Sequence, residues 1–152
     1  MVTFETVKTE ELLQQTIERF WEIFPPVWDS IRGNVRAIAT DHFNISVEQF
    51  QILRHIRKGR RSISELAEVK QISRPAISQA VELLVEKGLI DRRQSKGDRR
   101  YVELELTEEG KDLLNAIFDK NHEWMMGKMT ELSPEEAASI IRGLDALKKA
   151  FI

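Results

Sequence analysis

Three helix starts crowd into residues 46–73 of this chain. Ser46-Val-Glu-Gln49 and Ser62-Ile-Ser-Glu65 are capping boxes: the serine hydroxyl takes an orphan amide, and the Gln or Glu side chain reaches back to the serine's own amide. Ser73 is a third N-cap, with Pro75 in the first turn, where a missing N–H costs little. Glycines at 59 and 88 supply the stops. This punctuation cuts the segment into short helices. One carries Phe50, Ile52, Leu53 and Ile56 to Gly59. A second passes through Leu66, Ala67 and Val69 to a turn at Gln71-Ile72, and a third runs from Ser73 to Lys87. The period then drops from 3.6 to 2. Leu89–Gln94 reads as a strand, residues 95–100 as a charged loop, and Tyr101–Leu106 alternates apolar Val102, Leu104 and Leu106 with charges, as a half-buried strand does.

The flanks read as longer helices. Thr9–Phe24 carries Leu12, Leu13, Ile17, Phe20, Trp21 and Phe24 at helical spacing. Pro25-Pro26 is expected to break or kink it, since proline lacks the N–H and clashes with the preceding turn. Helix resumes near Val27 and fades near His42. After the hairpin, Thr107 caps a helix with Leu113, Leu114, Ile117, Phe118, Trp124 and Met125. Ser133-Pro-Glu-Glu136 starts a last one, whose stripe is Ala137, Ile140, Ile141, Leu144, Leu147 and Phe151.

Charge is distributed to match. Residues 51–101 hold 13 Lys/Arg against 6 Asp/Glu, net +7, while the flanks hold 10 against 19, net −9. One part is suited to a polyanion and the ends to something else. The chain has no cysteine, which excludes disulfides and thiolate metal sites. No apolar run approaches the roughly 20 residues needed to span a bilayer. Met1–Glu11 is polar and acidic, unlike a signal peptide, so a cytoplasmic location is expected.

Two capped helices around a tight turn, followed by a charged hairpin, fit a winged helix–turn–helix: mainly α, with a small β wing. At 100° per residue, Ile77, Ala80, Val81 and Leu84 share one face of the second helix. Pro75, Ser78, Gln79, Glu82 and Glu86 face the other way, and Arg74 sits at the entrance with Ser73. The N-terminal residues of such a helix meet base edges in the major groove of double-stranded DNA. Gln79 suits adenine N6/N7, Arg74 suits guanine, and Ser78 suits bases or phosphate. In the hairpin loop, Lys96, Arg99 and Arg100 can lie along phosphates or enter a narrow minor groove, and Asp98 can pair with Arg100 to hold the loop. Arg57 and Arg61, within a second basic cluster with Arg54, Lys58 and Arg60, are expected on the DNA backbone, against the alternative that the cluster is simply solvated.

The ordered runs Ser62-Ile-Ser-Glu-Leu-Ala67, Ser73-Arg-Pro-Ala-Ile-Ser78, Leu84-Val-Glu-Lys-Gly-Leu-Ile90, Asp98-Arg-Arg100 and Leu106-Thr-Glu-Glu-Gly110 resemble the MarR family of winged-helix regulators over nearly the whole chain. The resemblance implies a homodimer on a pseudo-palindromic operator, usually a repressor released by a small ligand. It also implies that Asp98 and Arg100 occupy the family's wing Asp-x-Arg positions. The wing departs from the family in one respect: an acidic residue often found about three positions before the Asp is missing here, where the stretch is Ser95-Lys-Gly97.

The apolar stripes of the ends, with Leu12, Leu13, Ile140, Leu144, Leu147 and Phe151, pair most economically across a two-fold axis, although an intramolecular bundle would also bury them; the resemblance favours the dimer. The expected organisation is dimerisation helices in residues 1–45 and 107–152 around a DNA-binding lobe in 46–106, forming one intertwined domain. Trp21, Phe24, Trp28, Phe43, Trp124 and Met125 are candidates to line a cleft for an apolar or phenolic effector, against the alternative that they are ordinary core. Catalysis is not expected. The carboxylate pairs Glu10-Glu11, Glu108-Glu109 and Glu135-Glu136 fall in first helical turns, where they complement the dipole. His42, His55 and His122 lack ligand spacing; a metal set joining His42 and His122 with Asp41 or Glu123 would require their helices to meet, and no cofactor or metal is expected. The alternative functions are a winged-helix module that binds only protein, which would show weak, salt-insensitive DNA affinity, and a small-molecule enzyme, which would show turnover.

Overall fold

Each capping box closes as the sequence prescribes. Ser46 Oγ accepts the Gln49 amide at 3.1 Å, and Gln49 Oε1 accepts the Ser46 amide at 3.1 Å. Ser62 and Glu65 exchange the same pair at 3.1 and 3.0 Å, and Ser133 with Glu136 at 3.2 and 2.8 Å. The computed structural model describes residues 4–94 and 102–152, with side chains of the first helix from residue 9 onward. The helices are α1 Phe4–Ala37, α2 Val47–Arg57, α3 Ile63–Lys70, α4 Arg74–Glu86, α5 Glu108–Met129 and α6 Pro134–Phe151; strands β1 Ile90–Gln94 and β2 Val102–Leu106 form an antiparallel hairpin.

The expected interruption at Pro25-Pro26 does not end the first helix, which runs unbroken from Phe4 to Ala37. Two features permit this. The carbonyls that lose their donors belong to Trp21 and Glu22, both on an exposed stretch where water can replace the amides. And Phe20, Phe24 and Trp28 stack at i, i+4 spacing straight across the proline pair, with ring centroids 4.9 and 6.3 Å apart and planes within 11° and 8°. That ladder holds helical geometry where the backbone bonds are missing. After Ala37 the chain widens into a π-helical turn, Ile38–His42, which ends at Asn44 with φ of 50°.

The chain divides into two compact units, residues 1–121 and 122–152. The first holds a continuous core. Ile52, Leu53, Leu66, Ile77, Val81, Leu84, Leu114 and Ile117 are fully buried, with Ile38, Ala39, Ile45, Phe50, Ile90 and Leu104 around them. The lobe's core therefore draws on the π turn before residue 46 and on the first half of α5. The hairpin is fastened to α5 by one residue. Thr107 Oγ1 donates to the Gly88 carbonyl at 2.7 Å and accepts the Gly110 amide at 3.0 Å, which caps α5. Gly110 has to be glycine, because a Cβ there would lie 2.2 Å from the Leu89 carbonyl oxygen. The second unit contains the end of α5 and all of α6, and α6 buries no residue.

Candidate nucleic-acid interface

The turn between α3 and α4 sets the direction of α4. Gln71 takes the left-handed conformation (φ 52°) and closes α3, Ile72 donates back to the Ala67 carbonyl at 3.1 Å, and Ser73 Oγ accepts the Ala76 amide to open α4. Ile77, Val81 and Leu84 then anchor α4 with no exposed surface, and Ala80 is half-buried beside them. Ser73, Arg74, Pro75, Ser78, Gln79, Glu82 and Glu86 are all exposed, so the face assigned by the 100° count is the face the fold presents.

The basic island sorts into committed and uncommitted cations. Arg57 lies with its guanidinium 4.6 Å from the Phe118 ring centroid and donates to Asn115 Oδ1 at 3.3 Å, which ties α2 to α5. Arg61 faces Glu103 and Glu105 of β2 at 3.7 and 3.6 Å, and its carbonyl accepts the Leu104 amide at 2.7 Å, as an added rung beside the wing. Both of these cations therefore have intramolecular partners. Arg54, Lys58, Arg60 and Lys70 have no carboxylate partner among the described residues, although Lys70 donates to Gln51. They surround His55: burial first, then Lys70, Arg54, Lys58 and Arg60, push its imidazole below the ordinary value. Arg74, exposed at the start of α4, likewise has no carboxylate partner among the described residues. Lys96, Asp98, Arg99 and Arg100, the proposed wing-tip contacts, lie outside the described residues.

Sequence reasoning did not find the wing's charge network. In the hairpin register Asp91 faces Glu105 and Arg93 faces Glu103, so four charges share one face. Arg93 reaches diagonally to Glu105 at 3.2 Å and to Asp91 at 4.0 Å, leaving Glu103 to Arg61. Arg92, on the opposite face, bonds Glu82 of α4 at 2.7 Å. The signal was present as Asp-Arg-Arg opposite Glu-Leu-Glu, legible once the register is known.

A cleft of about 450 Å³ opens between the end of α2, β2 and the first turns of α5, lined by Ile56, Arg57, Arg61, Leu104, Lys111 and Asn115. The aromatic candidates lie elsewhere. Trp21, Phe24 and Trp28 are exposed on α1, where Phe24 and Trp28 stack; Phe43 packs against the core of the lobe. Trp124 and Met125 are half-buried in the second unit. Of the proposed interface residues, Leu12, Leu13, Ile140, Leu144 and Phe151 are exposed and Leu147 is half-buried. Among the described residues no three His, Cys, Asp or Glu side chains gather as a metal site would require, and no helix is long and apolar enough to cross a membrane.

Comparison with known proteins agrees with this geometry. A sequence profile of the MarR family matches residues 43–100. The HTH-type transcriptional regulator YfiV of Bacillus subtilis is 27% identical over 148 residues, covering 96% of this chain and 91% of that protein. The transcriptional regulator Tm0710 of Thermotoga maritima has the same fold, with a TM-score of 0.79 at 22% identity over 88% of this chain and 94% of its own. So does a MepR mutant of Staphylococcus aureus bound to an oligodeoxyribonucleotide, with a TM-score of 0.66 at 20% identity over 88% and 98%. Fold, motif order and relatives coincide: the lobe over residues 43–100 matches the MarR family, and nearly the whole chain is similar to an HTH-type transcriptional regulator.

Proposed function

We propose that this chain regulates transcription by laying α4 in the major groove of double-stranded DNA, as a homodimer on a pseudo-palindromic operator. The observation that carries the reading is the division of α4 into a fully buried face, Ile77, Val81 and Leu84, and an exposed polar face with Arg74, Ser78 and Gln79 at its N-terminal half. Gln79 and Arg74 read base edges, while Ser73, Ser78 and the amides around Pro75 meet phosphate. Lys96, Arg99 and Arg100 of the wing follow the backbone or the minor groove, oriented by Asp98. Arg57 and Arg61 hold α2, α5 and the wing in place behind them, and reach phosphate only by exchanging their present partners. The S. aureus MepR mutant of the same fold, bound to an oligodeoxyribonucleotide, supports DNA as the partner.

Residues 1–45 and 107–152 supply the helices that pair two copies, supported by the unpartnered stripes of α1 and α6. An apolar or phenolic effector bound against the exposed aromatics Trp21, Phe24 and Trp28 of α1 would make the protein a ligand-responsive repressor of the cytoplasm.

Selection from a random duplex pool, followed by titration of Gln79→Ala, tests the reading. Loss of preference at particular positions, about 1–3 kcal/mol for a bidentate contact, is expected. An unchanged selected sequence would mean that α4 does not read bases through this face.

A further inference from the structure

The polar face of α4 carries a carboxylate where a polyanion is to dock. Glu82 lies three residues beyond Gln79 and four beyond Ser78, within about 60° of both around the axis and about 4.5 and 6 Å farther along it. An isolated carboxylate there would repel phosphate. Instead Glu82 Oε2 sits 2.7 Å from Arg92 Nη2, at the start of the wing. The hairpin register puts Arg92 opposite Leu104, on the face whose Ile90 and Leu104 are buried in the core, so its backbone position is fixed by packing. Both side chains remain partly exposed, at 39% and 51%.

Resting on the DNA reading above, we propose that Glu82 is a specificity-determining residue that accepts from the exocyclic amine of a cytosine, and that Arg92 is its positioning residue. Three points carry this. Carboxylates read cytosine N4 in the major groove, and a step of about 4.5 Å along α4 is close to one base step of 3.4 Å beyond the base met by Gln79. The ion pair cancels the charge that would otherwise keep the helix out of the groove, while leaving the second carboxylate oxygen free to accept. Finally, a carboxylate held by a guanidinium anchored in the sheet loses less rotamer freedom on docking than a free one. The wing and the reading helix thereby act on one base pair.

The full-length chain carrying Glu82→Gln, Arg92→Gln, Arg92→Lys or Gln79→Ala is passed through selection from a random duplex pool and titrated on the selected and singly substituted duplexes at several salt concentrations. Glu82→Gln is expected to lose about tenfold discrimination at one position per half-site, next to the position that Gln79→Ala relaxes. Arg92→Gln is expected to weaken the same position with an unchanged salt slope, and Arg92→Lys to restore part of it. If Glu82→Gln shifts affinity equally on all sequences, or leaves the selected sequence as it was while Gln79→Ala changes it, Glu82 is no reader and this inference falls alone. If Arg92→Gln lowers the salt slope by about 0.9 per protomer, Arg92 contacts phosphate and the positioning role falls. If neither Gln79→Ala nor Glu82→Gln changes any preference, the failure is that of the α4 reading itself.

Discussion

Leu84 and Leu144 are the same side chain, each within an amphipathic helix that starts on a serine cap. Leu84 in α4 has no exposed surface, and Leu144 in α6 is 56% exposed. The lobe satisfies its apolar faces within one chain: α2, α3, α4, the hairpin and the first half of α5 converge on one core. The ends do not. Ile140, Ile141, Leu144 and Phe151 of α6 and Leu12, Leu13 and Ile17 of α1 stand open. Burying each such side chain is worth about 1.5–3 kcal/mol, so the unpaired stripes forgo stabilisation comparable to that of a whole domain. The lobe's core is thus complete within one chain, while the ends expose the apolar surface that the proposed dimer would bury.

That contrast can be broken most forcefully in the core. Leu84→Ala should cost about 2–5 kcal/mol in urea unfolding, independent of protein concentration, since the cavity lies within one chain. A concentration-dependent loss would place Leu84 at an interface instead. Leu144→Asp should act the other way, weakening self-association about a hundredfold, roughly 2.7 kcal/mol, in sedimentation equilibrium while the lobe's core stays intact. An unaltered association constant would remove α6 from the proposed dimer contact. Gly110→Ala sharpens the boundary between the two regions. Forcing a methyl against the Leu89 carbonyl should cost about 1–3 kcal/mol and loosen the hairpin from α5, seen as faster amide exchange at Thr107 and Leu89.

The smallest effect is the acid response of the lobe. His55 binds its proton less readily folded than unfolded, so its contribution is complete above about pH 6.5 and is lost as pH falls through the folded value. Glu65 is held below the ordinary glutamate range, first by the Arg61 amide and then by Ser62, so its contribution is complete above about pH 4.3 and is lost as pH falls through its own lowered value. Unfolding measured from pH 7.5 to 3 should lose its upper step in His55→Gln and part of its lower step in Glu65→Gln. A pH profile unmoved by both variants would contradict these assignments.

The lobe was legible in the sequence because its signals are local. Ser46, Ser62 and Ser73 cap within three residues, Gly59 and Gly88 take positive φ, and the buried face of α4 follows from angular arithmetic. Pro25-Pro26 does not break the helix, because side chains at four-residue spacing, Phe20, Phe24 and Trp28, stack in turn across it. Arg57 and Arg61 looked like free cations because their partners, Asn115, Phe118, Glu103 and Glu105, lie more than 40 residues away in sequence. Charge along the chain shows where a basic surface is. Which of its cations are already paired is a property of strand register and helix packing.

The most direct test of a rigid DNA-reading lobe completed by paired ends is a sedimentation titration of the full chain on its selected duplex and on a scrambled one, across a range of salt. Two chains per duplex are expected, with selected affinity at least about 10³-fold above scrambled and log affinity falling linearly and steeply with log salt. One chain per duplex, or an affinity indifferent to salt and sequence, would contradict it.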